Sequence, residues 1–379
     1  MSRHPAARDH CLSLVRSVDR PTGGARYGRM FPGLEPLGAD PQVLMRAGAD
    51  GGICDAAAVL DPGSGGDDAE QAAGWPFFGQ LLAHDTTAIG DPRNDVHLFS
   101  LTLHVALLRA HNRIVDRLRA SGIPEDEVFE RARITLTWHY QWVVVHDFLP
   151  RLVGQPLVDE VLTGGGKWFT PEPLQAFIPL EFADAAYRYG HGQIRHTYRL
   201  TAGGPEVPLF PDLVGFGPPR QRLDLTQVFD VPGRPPAQRA KRLDGRLPAS
   251  LIGLPEKVTG AVDEAAYKSL AVRDLLRGDT TGLPSGEEVA ELLGVPPLTE
   301  GTWPGGTPLW FYVLKESEVF GDGDRLGPVG GRIVAEVLLG LLRADPASYL
   351  SLEPGWQPTL PANGETFGLT DLLIPDGSR

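Results

Sequence analysis

The chain has 379 residues, 42% of them hydrophobic and 22% charged, enough to bury one large core or two smaller ones. A formal net charge of −13 leaves no basic stripe to track a phosphate backbone, which argues against nucleic acid as a partner. No run of about 18 apolar residues occurs, so no membrane span is expected, and the two cysteines, Cys11 and Cys54, cannot make a disulfide framework.

In chain order, the opening segment MSRHPAARDHCLSL lacks the apolar run of a signal peptide, and the expectation is a cytoplasmic protein. Residues 1–74 are punctuated by Gly and Pro, with GSGGDD at 63–68 reading as a surface loop, and are expected to form an extension packed on a core spanning 75–379. From Trp75 the pattern changes. FFGQLLAHD sets Phe78, Leu81, Leu82 and Asp85 at helical spacing, which predicts a short buried helix. VHLFSLTLHVALLRAHNRIVDRLRASG repeats apolar residues at three and four over about seven turns and stops at Gly122. The next segment, entered through Pro124 with acids in its first turn, predicts a long helix ending near Pro150; its VVV run alone fits a strand, and length decides for helix. Residues 201–255 are Pro- and Gly-rich and predict an irregular excursion. Helical patterns resume with DEAAYKSLAVRDLLRG, SGEEVAELLG, PLWFYVLKESEVF and VGGRIVAEVLLGLLRA. Few strands are expected, so the fold class is mainly α: one large helical domain with long irregular loops.

Two histidines carry the chemical argument. His84 closes the first apolar helix, and Arg93 follows nine residues later across a Gly-containing break. A neutral imidazole beside a fixed cation is what heterolytic peroxide cleavage requires: the base moves a proton between the oxygens and the cation stabilises the developing charge. Taken singly, His84 also fits a satisfied core residue and Arg93 a surface ion pair with Asp91 or Asp95. His191, in YRYGHGQIRHTYRL, has small and aromatic neighbours and Arg188 three residues before it, on nearly the same helical face. That suits an axial metal ligand, with a guanidinium able to pair with a carboxylate. A buried helix with a snorkelling arginine fits the same residues.

The ordered set ARYGRMFPGL, FFGQLLAHD, IGDPRND, LHVALLRAHNRIVD, WHYQWVVVHDFLP, YRYGHGQIRH, LAVRDLLRG, GLPSGEEVA, TPLWFYVLKESEVFG and LGPVGGRIVAEVLLGLL resembles the animal-type haem peroxidase superfamily, bacterial relatives of the myeloperoxidase and cyclooxygenase group. The similarity runs from about Tyr27 to the C-terminal helices. It implies a haem b cofactor, with His84 as distal base, Gln80 as its pocket companion and Arg93 as distal cation. It makes His191 the proximal iron ligand, places Arg188 and Arg277 near the haem propionates, and puts Asp274 where the family holds the partner of the proximal imidazole. Hydrogen peroxide and a small organic donor, or halide, are the implied substrates.

Departures from the family pattern carry information of their own. The carboxylates that form ester bonds to haem in the animal enzymes are replaced here by Ala83 and Val96, so non-covalent haem is expected. Asp85 matches one calcium ligand of the family, but the insertion that carries the others is missing, and calcium needs six to eight oxygens. The proximal partner, commonly asparagine, is Asp274, a carboxylate that pushes electron density toward a ligated iron.

Alternative readings are kept. A haem-dependent oxygenase of a lipid or small metabolite would use a radical-forming tyrosine three residues before the proximal histidine; Arg188 stands there, flanked by Tyr187 and Tyr189. A metal-dependent phosphohydrolase would use the His84–Asp85 and His146–Asp147 doublets, but only His4 and His10, in a polar tail, precede the first. His104 and His111 are poor joint zinc ligands, since seven residues of helix rise about 10.5 Å while zinc bonds are about 2 Å. A haem-binding protein without turnover is the third.

Overall fold

The computed structural model describes residues 27–56, 68–82, 97–173, 175–214 and 221–374, without the side chains of residues 79–82. The architecture is mainly α. Three two-stranded ladders are its sheet structure among the described residues: Tyr27–Gly28 pairs in parallel with Ile178–Pro179, Asp68–Ala72 runs antiparallel to Arg239–Lys241, and Thr197–Arg199 antiparallel to Glu206–Pro208. No helix among the described residues is long and apolar enough to cross a membrane.

The helices follow the apolar periodicity. Trp75–Leu82 comes first, with Phe77 and Phe78 buried. Leu98–Ala120 turns its Leu103, Ala106, Ala110 and Ile114 inward at spacings of three and four, and ends where Gly122 takes a φ of 77°. Glu125–Val143 begins after Pro124 with three acids in its first turn, where the helix dipole favours them. This helix does not stop at Pro150. Because Pro150 has no N–H to return to the carbonyl four residues back, the backbone widens into a π turn over Val144–Phe148 and continues as Leu149–Val153, until Gly154 at a φ of 84° ends it. Gly286–Leu293 carries a full capping box, Ser285 with Glu288, and a left-handed Gly294 behind it.

At the centre lie Leu309–Gly321 and Pro328–Ala344. In the first, Leu309 to Leu314 are all buried, so this stretch has no solvent face. Two irregular segments and the first turn of Pro328–Ala344 are tied to this core by buried glutamates that accept from consecutive backbone N–H groups. Glu181 takes Met30 and Phe31, Glu316 takes Val329 and Gly330, and Glu336 takes Trp168 and Phe169. Donors that no helix or strand satisfies thus meet a carboxyl oxygen inside the protein.

Two elements position the candidate site. One is Leu270–Thr280, an α-helix packed against Pro41–Gly48 so closely that a Cβ on Gly48 would lie 2.5 Å from Val272 N. The other is Ala186–Gln193, a 3-10 helix laid against Leu309–Gly321, Trp75–Leu82 and Pro328–Ala344. Arg29 clasps them together: its Nε lies 3.4 Å from Glu181, just upstream of the 3-10 helix, and its Nη1 donates to the carbonyls of Thr281 and Gly282 at the end of the α-helix.

Candidate functional site

His191 and Arg188 stand three residues apart in a 3-10 helix, whose three residues per turn set them one above the other. Asp274 and Arg277 stand three apart in the α-helix and share a face in the same way. The two pairs meet. His191 Nδ1 lies 2.6 Å from Asp274 Oδ2, and Arg188 Nη1 donates to Asp274 Oδ1 at 3.1 Å. Asp274 is fully buried, so its charge is sustained by these two partners. A neutral imidazole that donates its Nδ1–H to Asp274 carries its lone pair on Nε2, and the His191 side chain keeps 32% of its exposure. An oriented, reachable imidazole nitrogen backed by a carboxylate fits a metal ligand.

Asp184, which the sequence reading missed, extends the array. Its Oδ1 accepts from Arg188 Nη2 at 3.3 Å and from Arg277 Nε at 2.9 Å, while Arg188 Nε is held at 3.0 Å by the Ala183 carbonyl. Charges therefore alternate along Arg277, Asp184, Arg188 and Asp274 before reaching His191. The one signal in the sequence was the helical i,i+4 spacing of Asp184 and Arg188, common to many surface pairs; the link to Arg277 spans 93 residues. Neither arginine stands alone, so a propionate bound by either one would share it with Asp184.

The distal candidates are placed differently. His84, Arg93, Asp85, Ala83 and Val96 lie outside the described residues. Gln80 belongs by its backbone to the Trp75–Leu82 helix. Pro76 in that helix faces Gly190, so the helix leading toward His84 rests on the turn that carries His191.

Tyr187 is stacked on Phe182 at 4.4 Å, and its buried hydroxyl has no hydrogen-bond partner among the described residues. Burial pushes this phenol well above its ordinary range. His146 and Asp147 have separate employments: His146 stacks on Trp142 and meets the Tyr349 hydroxyl, while Asp147 accepts from Arg151 and from the Leu369 N–H. No group of three or more His, Cys, Asp or Glu among the described residues is placed to hold a metal; the His84–Asp85 doublet of the phosphohydrolase reading lies outside them.

The family model for animal haem peroxidase matches residues 70–295, a span that includes both crossing pairs. The chain belongs to the animal haem peroxidase family. Among relatives of this family member, peroxidase mlt-7 of Caenorhabditis elegans is 28% identical over 214 residues, covering 54% of this chain and 27% of that protein. Thyroid peroxidase of Homo sapiens is 30% identical over 219 residues, covering 52% of this chain and 22% of that protein. The chain thus spans about a quarter of the length of these curated relatives. The structure of peroxidase A from Dictyostelium discoideum aligns with a TM-score of 0.49 at 19% identity, covering 68% of this chain and 51% of that one.

Proposed function

We propose that this chain binds haem b without a covalent link, through His191, and uses it as a peroxidase. The observation that carries the reading is the 2.6 Å contact from His191 Nδ1 to Asp274, set inside a stretch that matches a haem peroxidase family. Asp274 fixes the tautomer and the ring plane, and its charge raises the donor strength of Nε2. A haem bound at that nitrogen supplies reduction of peroxide and, in turn, oxidation of a donor.

The remaining steps belong to side chains. His84 takes the proton from one oxygen of hydrogen peroxide and returns it to the other. Arg93 holds the charge that gathers on the leaving oxygen, and Gln80 orients the peroxide beside His84. These distal roles rest on the sequence pattern. Ala83 and Val96 offer no carboxylate to bond the haem, and the donor is a small organic molecule or halide that enters the distal side.

The test is a visible spectrum of the purified protein with and without peroxide, repeated for His191→Ala and His84→Ala. The reading expects a Soret band that is lost in His191→Ala, whereas His84→Ala keeps the band and loses peroxide-dependent oxidation of a phenolic donor. Acidic butanone should extract the pigment completely. A colourless wild-type preparation from cells grown with ample haem precursor would sink the proposal.

A further inference from the structure

We propose that Asp184 is a positioning residue that sets, by competing for Arg188, how strongly Asp274 holds the Nδ1 proton of His191. The Arg188 guanidinium is divided between two carboxylates, with Nη1 on Asp274 at 3.1 Å and Nη2 on Asp184 at 3.3 Å. Asp184 is 2% exposed, and its second oxygen has no hydrogen-bond partner among the described residues. A buried carboxylate left half-satisfied is costly, so it draws on the cations it has, Arg188 and Arg277. Charge drawn toward Asp184 is charge that Arg188 does not lend to Asp274. Asp274 then remains the more anionic acceptor and pulls harder on the imidazole N–H.

The sign follows from what stays behind when Asp184 is neutralised. Arg188 remains placed, because the Ala183 carbonyl holds its Nε at 3.0 Å. The nearby Arg277 cation, no longer screened by Asp184, repels Arg188 toward Asp274. Asp184→Asn therefore weakens the His191–Asp274 hydrogen bond, and Arg188→Gln strengthens it. A merely structural role for Asp184 would loosen the cluster and move both variants the same way.

The hydrogen bond exists within the chain itself, so the proposal rests on the haem reading only for its consequence at iron. The decisive measurement is the proton resonance of the His191 Nδ1–H in haem-free, histidine-labelled protein. Asp184→Asn should move it upfield and Arg188→Gln downfield. In the haem-loaded ferrous protein the iron–imidazole stretch should fall in the first variant and rise in the second. Shifts of the same sign in both, or no shift in Asp184→Asn, would overturn the proposal. Should Asp184→Asn fail to fold, Asp184→Glu replaces it: the displaced carboxylate moves the resonance in the wild-type background and leaves it still in Arg188→Gln, and movement in both or in neither overturns the idea. A protein that shows these resonance shifts yet binds no haem refutes the haem reading alone.

Discussion

Arg188 and His191 share one acceptor: the two oxygens of Asp274 receive a guanidinium N–H at 3.1 Å and an imidazole nitrogen at 2.6 Å. Asparagine at this position keeps an oxygen for the imidazole but removes the anion that balances Arg188. Asp274→Asn is therefore expected to cost about 2 kcal/mol in urea unfolding, below the usual cost of a broken buried pair because Arg188 is 19% exposed and partly screened. Unchanged stability would show that Arg188 draws its balance from Asp184 alone.

Arg29 offers a sharper test of the clasp. Its guanidinium and Glu181 are both buried, 4% and 0% exposed, so Arg29→Met leaves an unpaired carboxylate inside the protein. Loss of about 3–5 kcal/mol is expected at neutral pH. Burial already pushes Glu181 above its ordinary range, and removing the cation pushes it further. Protonation relieves the variant, so the gap to wild type should narrow as pH falls toward 5. A gap independent of pH would mean that lost packing, not the stranded charge, dominates.

Glu316 should leave its own mark on the pH profile. Burial pushes its carboxyl up to about 8, against the ordinary 4.5 of the unfolded chain. Between those values the folded protein retains a proton that the unfolded chain has released, so this group's contribution falls as pH rises, by an amount on the order of a few kcal/mol. Urea midpoints at pH 5, 6.5 and 8 should decline more steeply in wild type than in Glu316→Gln. Parallel profiles would mean that the Val329 and Gly330 N–H groups keep Glu316 ionised throughout.

Packing reaches the site through Gly48. A methyl group there would meet the backbone of Ala271 and Val272, two rigid neighbours just before Asp274. Gly48→Ala should cost about 1–3 kcal/mol, typical of overpacking, and should weaken haem retention by shifting the helix that carries Asp274. Normal retention with lowered stability would show that the helix yields without disturbing the Asp274 carboxylate.

The helices could be read from the chain because each buries a stripe, and burial writes a period of three to four residues into the sequence; Leu103, Ala106, Ala110 and Ile114 are one such stripe. The π turn at Val144–Phe148 could not, since it arises from where Pro150 falls in a helix that packing keeps going. Asp274 and His191 were named as partners through family resemblance; spacing along the chain carries no information about two residues 83 apart. Asp184 and the Arg29–Glu181 clasp were not named at all. Their partners lie on other elements, and a charged residue looks the same in sequence whether it ends in solvent or against a buried counter-ion.

Sequence alone determined the mainly helical character and the absence of carboxylates at Ala83 and Val96, because these depend on residue identity and local period. Only the tertiary structure decided that two short helical ribbons cross so that one carboxylate serves both a histidine and an arginine, and that a second carboxylate also accepts from that arginine. Electrostatic coupling falls with distance in space, and the crossing of the ribbons is what sets those distances.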